Sequence, residues 1–438
     1  MKFRYKYKTI MVGMAFLSIS AFWSMYDNII PLILKNSFGL GETLIGLVMA
    51  VDNILALFLL PILGTYSDHI QTRLGKRIPF IIGGTVLADM AMFFMPIADN
   101  SRNLFLFLIM TGIVLLCMSL YRSPAVALMP DVTPKSLRSK GNAIINLAGA
   151  VGGIYALAMI KFLVKEGDTP NYFQLFVSII SLMLISVMII TLTVDENKWT
   201  EEARKFDELE GNIDDEPADP KEDTIKNKIR GFYELSPDKK RSLLFLLMSV
   251  CLWYMAYNAV TTAFSRYATQ VWNSANGSFA NYLLVATVAA VVSYIPIGLI
   301  SGLIGRKKTV LIGIVGLVIG FGACFFTKTP GAFTLVMFCL VGFSWAAINV
   351  NSLPMVVDIG NSNDIGKFTG LYYTFSMVGQ ILTPIISGAL LELVSYKTLF
   401  PYAMVFSILA FFTMLQVKHG DIMPEKKRSL LEHFDVDD

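Results

Sequence analysis

Long apolar stretches separated by short polar loops run through almost the whole chain. Twelve of them are long enough to form a helix that crosses a bilayer, which takes about 20 mostly apolar residues. They span residues 9–34, 43–63, 79–98, 103–129, 141–165, 173–194, 242–264, 278–302, 308–327, 332–357, 368–392 and 398–417. The pattern predicts an all-α membrane protein with twelve transmembrane helices.

A charged segment divides these runs into two groups of six. Residues 195–241 are rich in Asp, Glu and Lys, with Asp214-Asp215-Glu216-Pro217 near their centre. Because such a composition cannot bury a core, we predict a solvated linker with a short surface helix, which serves as a tether or, alternatively, as a regulatory docking site. The predicted organisation is a six-helix half over 1–194, a linker over 195–241, a second half over 242–417 and a tail over 418–438.

Short segments of similar sequence at corresponding positions indicate that the two groups are repeats. Leu74-Gly75-Lys76-Arg77 follows the second run, and Ile304-Gly305-Arg306-Lys307 follows the eighth. Repeated helical units are a common plan for membrane proteins of this length. The sequence therefore predicts two pseudo-symmetric halves.

Cations are distributed unevenly between the two sets of loops. The loops after even-numbered runs hold most of them: His69, Arg73, Lys76 and Arg77, then Lys135, Arg138 and Lys140, then Arg306, Lys307 and Lys308. Because cytoplasmic loops are enriched in Lys and Arg, both termini are predicted to face the cytoplasm. Arg266, near the end of the seventh run, departs from this rule and is expected to snorkel towards the headgroups.

Composition narrows the functional classes. The chain of 438 residues is 55% hydrophobic and 16% charged, whereas a soluble protein has about 25% charged residues. A net charge of +3 gives no reason to expect a nucleic-acid partner. The four cysteines lie in apolar runs without metal-ligand spacing, and the three histidines lie in loops or the tail. No nucleotide-binding loop or nucleophile motif occurs, so neither an enzyme nor a cofactor is expected.

The loop between the second and third runs is the most specific motif. It reads Ser67-Asp68-His69-Ile70-Gln71-Thr72-Arg73-Leu74-Gly75-Lys76-Arg77, followed by Ile78-Pro79-Phe80-Ile81. This order resembles the loop between helices 2 and 3 of the major facilitator transporters. It is most similar to the glycoside–pentoside–hexuronide symporters, especially their sucrose-transporter branch. The resemblance implies two six-helix halves around a central cavity that is reached alternately from each side of the membrane.

Four residues of this loop, Asp68, Arg73, Lys76 and Arg77, are candidate gating residues. We predict that Asp68 lies near a helix N-terminus of the other half, where the helix dipole and nearby cations stabilise it. It would then act as a cytoplasmic latch that favours the outward-open state.

Ionisable residues at membrane depth are costly and usually functional. Asp27, Asp52, Asp89 and Arg122 lie in the first, second, third and fourth runs. In major facilitators, helices 1, 2, 4 and 5 line the cavity, so the resemblance favours Asp27, Asp52 and Arg122 as coupling residues over Asp89. A carboxyl group that is ionised beside an arginine or neutralised by a proton is a switchable charge. The alternative is a static ion pair that fixes helix packing.

The chain departs from these relatives at two places. Sucrose transporters have an arginine at the position of Val126, and Arg122 lies one turn earlier. The sodium-coupled sugar symporters carry paired acids shortly before the proline of helix 2, whereas residues 56–60, before Pro61, contain none. Because a lone Asp52 is a poor sodium site, a proton is preferred to sodium as the coupling ion.

Aromatic and amide side chains recur at helical spacing in several runs. A sugar site needs aromatic faces for ring C–H groups, and amides or hydroxyls for the sugar hydroxyls. The candidates are Trp23, Tyr26, Asn146, Tyr257, Asn258, Trp345, Asn349, Tyr373 and Gln380. Each alone is explained more simply by helix packing, but together they lie on helices that the resemblance assigns to the cavity.

The sequence thus predicts a monomeric secondary transporter of the cell membrane that imports a neutral sugar, a glucoside or short oligosaccharide, by proton symport. Its expected partners are a small-molecule sugar and the lipid bilayer. Two alternatives stay open. An exporter of drugs or amphiphiles would have a more apolar cavity with fewer amides. A transporter-like sensor would bind sugar and signal through residues 195–241 without net transport.

Overall fold

The computed structural model describes residues 2–164, 170–209, 235–274, 277–359 and 365–421. These ranges contain helices α1 (Lys2–Asn36), α2 (Glu42–Asp68), α3 (Ile78–Asn100), α4 (Leu104–Val132), α5 (Arg138–Leu163), α6 (Phe173–Thr193), α7 (Glu196–Leu209), α8 (Pro237–Gln270), α9 (Ala280–Ile304), α10 (Arg306–Phe326), α11 (Ala332–Ile359), α12 (Ile365–Leu393) and α13 (Leu399–Leu415). Twelve of them, all except α7, are long and apolar enough to cross a membrane. The predicted fold class is therefore confirmed, and the side on which the termini lie stays a prediction.

Several helices extend beyond the apolar runs that mark them in the sequence. The second run ends at residue 63, but α2 continues to Asp68, and α8 begins at Pro237 before the seventh run. Helical hydrogen bonding can continue into water, whereas hydropathy reports only the part that matches the hydrocarbon core. Asp68, which the sequence assigns to a loop, is therefore the last residue of α2, and the helix fixes its position.

The helix pairs of the first half recur in the second. In the first half α1 packs on α5 and α6, α3 packs on α4 and α6, and α2 packs on α4. In the second half α8 packs on α12 and α13, α10 packs on α11 and α13, and α9 packs on α11. The halves meet through α2 against α12, α5 against α9, and α1 against α8.

Alternate helices run in opposite directions, which gives the molecule two faces. The terminal face holds the start of α1, the end of α13, and the α2–α3, α4–α5 and α9–α10 connections. The opposite face holds the α1–α2, α3–α4, α8–α9, α10–α11 and α12–α13 connections.

Helix α7 is an amphipathic helix on the terminal face of the first half. It buries Trp199 and Ala203. The Lys8 ammonium pairs with Glu202 and lies 4.9 Å above the centre of the Trp199 ring. These contacts tie α7 to the start of α1. The acidic segment 214–217 of the predicted linker and residues 422–438 of the predicted tail lie outside the described residues.

Candidate substrate cavity and coupling residues

A cavity of about 380 Å³ lies between the halves, on the side of the terminal face. Helices α1, α4 and α5 supply most of its wall, and α12 closes it with one tyrosine. It is lined by Phe16, Ile19, Ser20, Trp23, Arg122, Val126, Met129, Pro130, Asn142, Ile145, Asn146 and Tyr373. Its size and its mixture of aromatic, amide and guanidinium groups suit a small polar molecule.

Close packing of α1 against α5 brings Trp23 and Asn146 into the same wall. Gly152 permits this approach, because a Cβ there would lie 1.9 Å from the Leu17 carbonyl oxygen. Trp23 meets Tyr26 edge-on, with ring centroids 5.5 Å apart. Within the described ranges, the Trp23 indole nitrogen and the Tyr26 hydroxyl are buried without a hydrogen-bond partner. Two unpaired donors therefore lie in and next to the cavity wall.

The three predicted coupling residues come from three different helices and interact electrostatically. The carboxyl groups of Asp27 and Asp52 repel each other, and both are attracted to Arg122. The side-chain amide of Asn53 donates to Asp52 Oδ1 at 2.8 Å. Of the three, Arg122 lines the cavity. The fold thus places a fixed cation at the cavity with two acids in reach of its charge.

The second half contributes a separate aromatic cluster on α8, α11 and α12. Tyr257 and Trp345 stack with ring centroids 3.8 Å apart and an interplanar angle of 7°. Tyr254 meets Trp345 edge-on at 5.3 Å. The hydroxyl groups of Ser352 and Tyr372 lie 2.9 Å apart and are hydrogen-bonded. This hydrogen bond joins α11 to α12 beside the stacked rings.

The structure divides the predicted substrate residues into two groups. Trp23, Asn146 and Tyr373 share the cavity wall with Arg122, and Tyr26 packs behind Trp23. The others lie in the second half: Tyr257 and Trp345 in the aromatic cluster, Asn258 beside Tyr257, Asn349 one turn after Trp345, and Gln380 two turns after Tyr373. The role of each residue in binding stays a prediction.

The predicted gating loop forms a charge cluster at the terminal face. Arg77 is buried, and its guanidinium donates to Asp68 and, at 3.0 Å, to Asp131. The Lys76 ammonium lies 3.2 Å from Asp131 and 3.9 Å from Asp68. Arg73 is exposed. In the part of the chain that the structure describes, the ion-pair partners of Asp68 belong to its own half, and the latch to the other half stays a prediction.

The expectation that Arg266 snorkels is wrong, and its partner, Glu42, was not recognised from the sequence. The Arg266 side chain is only 4% exposed, and its Nε lies 2.8 Å from Oε2 of Glu42, whose side chain is 1% exposed. A guanidinium with a buried acid beside it has no need to extend to the headgroups. The only available signal was an acid at the start of the second run, which a single sequence does not connect to Arg266.

This architecture corresponds to a known class of membrane protein. The family model of the Major Facilitator Superfamily matches residues 12–293 and 273–432. The chain therefore belongs to this family, which makes it a multi-pass membrane transporter rather than an enzyme. No curated protein sequence matches it. Membership of the glycoside–pentoside–hexuronide or sucrose-transporter branch stays a prediction.

Solved structures of transporters share the fold at low sequence identity. The nucleoside transporter NupG is 16% identical with a TM-score of 0.71, and the match covers 94% of this chain and 100% of that one. A bacterial homologue of the drug peptide transporters PepT1 and PepT2 is 14% identical with a TM-score of 0.66, over 94% and 98% of the two chains. The transporter FucP is 13% identical with a TM-score of 0.57, also over 94% and 98%. At these identities the likeness shows the fold alone.

Proposed function

We propose that the protein imports a neutral sugar, a glucoside or short oligosaccharide, across the cell membrane by proton symport. The proposal depends chiefly on the cavity in which Trp23, Arg122, Asn146 and Tyr373 meet. An indole face suits the C–H groups of a sugar ring, and amide and guanidinium groups suit its hydroxyls. A drug or amphiphile exporter should have a more apolar lining, and the amides of Asn142 and Asn146 in one wall argue against it.

The arrangement of charges supports proton coupling. With Asp27 and Asp52 both ionised, the two acids outweigh the single cation of Arg122. A proton on one carboxyl group would neutralise the cluster, so the loaded carrier could change conformation without an uncompensated charge at membrane depth. In this proposal the sugar and the proton occupy neighbouring places in the first half.

The cation distribution supports a cytoplasmic terminal face. The Lys and Arg residues of the α2–α3, α4–α5 and α9–α10 connections all lie on that face. Since cytoplasmic loops are enriched in these residues, the cavity on the terminal side would open towards the cytoplasm. The opposite face would then be the outer one.

Uptake into proteoliposomes tests the proposal. The purified protein would be offered radiolabelled glucosides, disaccharides, nucleosides and dipeptides, with an imposed proton gradient, with a sodium gradient, or with neither. We expect a neutral sugar to accumulate only under the proton gradient. Accumulation of a nucleoside or dipeptide but no sugar would contradict the substrate class, and accumulation under sodium alone would contradict proton coupling. Saturable sugar binding without flux would identify a sensor instead.

A further inference from the structure

Helix α7 holds the start of α1 through one buried lysine. The Lys8 side chain is only 4% exposed, and its ammonium pairs with Glu202 of α7. The same ammonium lies 4.9 Å above the centre of the Trp199 ring, which is buried one turn earlier on α7. A cation that leaves water needs partners that replace the water, and an aromatic face is such a partner. Lys8 is therefore bound to α7 by an acid and by a ring.

The same helix also holds two connections of the first half. Glu196, at the start of α7, accepts from the backbone N–H groups of residues 76–78. Asp207, near the end of α7, accepts from the Lys135 N–H at 3.0 Å, and α7 packs on α4. Helix α7 thus joins three elements of the terminal face, which are the start of α1, the α2–α3 connection and the α4–α5 connection.

The lysine lies next to the point where three helices of the cavity wall meet. Thr9 of α1, Met129 of α4 and Gly141 of α5 converge there. A Cβ on Gly141 would lie 3.1 Å from Met129 Sδ and 3.6 Å from Thr9 Cγ2. Met129 lines the cavity, and so does Asn142, the residue after Gly141. A movement of α1 at Lys8 would therefore reach the cavity wall through direct contacts.

The cavity is also close to the helix ends that α7 holds. Phe16, the first cavity residue of α1, lies about 12 Å along the helix from Lys8, at a rise of about 1.5 Å per residue. Pro130 lies in the last turn of α4, and Asn142 lies in the second turn of α5. The terminal turns of a helix open more readily than its middle. Contacts that hold these ends therefore determine where this part of the wall lies.

From these contacts we infer that α7 positions the cavity wall at the terminal end of the cavity. Lys8, Glu202 and Trp199 hold α1 against α4 and α5, and thereby set the width of that end. Among the residues that the structure describes, none of these three lines the cavity, so they act through α1 rather than on a solute. The inference goes beyond the sugar proposal, because it holds for any solute that the cavity carries.

The test measures the width of this end without any solute. Spin labels would be attached to cysteines introduced at Tyr7 of α1 and Ser136 of the α4–α5 connection, which are exposed on the terminal face. This terminal pair is compared with an opposite pair at Ser101 and Phe162, which are exposed on the opposite face of the same half. Pulsed electron resonance in nanodiscs gives both distance distributions. The native cysteines would first be replaced by alanine: Cys117, Cys251, Cys324 and Cys339.

Removal of either member of the ion pair gives the main outcome. Lys8→Gln and Glu202→Gln should each move the terminal pair to longer distances and broaden its distribution, because α1 is no longer held, while the opposite pair keeps its distances. Glu201→Gln is the matched control on the same helix, since its pair with Lys205 is exposed and contributes little. Unchanged distances for the terminal pair in both variants would overturn the inference. Equal changes at both label pairs would also overturn it, because they would indicate a general loss of stability.

Two further variants separate the charge of Lys8 from its bulk. Lys8→Arg keeps a cation above the Trp199 ring, so the terminal pair should keep its original distances. Lys8→Met keeps most of the length without the charge, and the terminal pair should lengthen as it does in Lys8→Gln. Long distances in the arginine variant, or original distances in the methionine variant, would show that bulk rather than charge holds α1, and the inference would fail. Failure here is distinguishable from failure of the sugar proposal, because no solute is present.

Discussion

At the scale of single residues, Asp52 is a candidate proton-coupling residue because of its neighbours as well as its position within a membrane-spanning helix. The Asn53 amide donates to it, Arg122 attracts it, and Asp27 is the second acid of the same charge cluster. Opposing influences of this kind let a carboxyl group change between ionised and protonated forms when its access to water changes. In a static ion pair, by contrast, the carboxylate would contact its cation directly, and both groups would have all their hydrogen bonds satisfied.

Asp52→Asn should abolish accumulation of solute against its gradient while sparing exchange. The amide resembles the protonated acid, so the carrier can still cycle with solute but has no proton to exchange. Counterflow and gradient-driven uptake in the same vesicles measure the two activities. Asp89→Asn is the control, because Asp89 is equally an acid at membrane depth but lies buried in α3, away from the cavity wall. Concentrative uptake by the Asp52 variant would exclude Asp52 as the coupling residue.

Arg122→Lys should weaken solute binding although it keeps the charge. A lysine ammonium lacks the planar fork that can contact two hydroxyls at once. Loss of one charge-assisted hydrogen bond corresponds to about a 10- to 100-fold loss of affinity. Equilibrium binding measures this, with Arg204→Lys on the exposed surface of α7 as the control. Unchanged affinity would leave Arg122 with a packing role.

The sequence predicts charged residues of the site better than neutral polar ones. Asp27, Asp52 and Arg122 stand out because charge is rare in apolar runs. Ser352 and Thr287 look alike in the sequence, yet Ser352 is bonded to Tyr372 of another helix, whereas Thr287 donates to the Leu283 carbonyl of its own helix. A hydroxyl group in a membrane helix can always bond its own backbone. Its long-range partner therefore becomes known only from the fold.

At the scale of elements, the third helix of each half is capped by an acid from the segment that follows the sixth. Glu196 accepts from the backbone N–H groups of Lys76, Arg77 and Ile78 at 2.9–3.1 Å. In the second half, Asp421 accepts from the Lys307 N–H at 2.9 Å. An acid at a helix N-terminus satisfies free donors and the helix dipole. The repeat detected at residues 74–77 and 304–307 thus includes caps that are distant in sequence and were not predicted.

Glu196→Ala should destabilise the first half. It leaves the start of α3 uncapped, and the loss of such a cap costs about 1–2 kcal/mol. The thermal unfolding midpoint in detergent should fall by a few degrees. Glu201→Ala on the same helix is the control, because its pair with Lys205 is exposed and contributes little. Equal midpoints for the two variants would show that the three hydrogen bonds do not stabilise α3.

At the scale of the whole molecule, the sequence predicts the spans but not how the halves meet. Apolar length alone indicates twelve crossings, because the bilayer sets that length for every helix. Gly46 meets Pro384, and Glu42 meets Arg266, in the conformation described here. A transporter must adopt at least one other conformation, in which the contacts between the halves differ. No local pattern of residues marks such a contact, so it appears only when the chain is folded.

Which face is closed should also depend on Asp68 at the terminal face. We expect Asp68→Asn to raise the population that is closed at the opposite face, because the proposed latch of the terminal face loses its charge. A helix-dipole contact of ~0.5–1 kcal/mol corresponds to a shift of about two- to fivefold in the ratio of the two populations. Spin labels on cysteines introduced at Ser101 and Thr329, which are exposed on the α3–α4 and α10–α11 connections of the opposite face, measure this shift by pulsed electron resonance. Uptake should slow while binding is kept. Asp207→Asn is the control, since Asp207 is a terminal-face acid that accepts from the Lys135 N–H within the same half. If both variants retain the original populations and rates, Asp68 serves only to hold Arg77 in its own half.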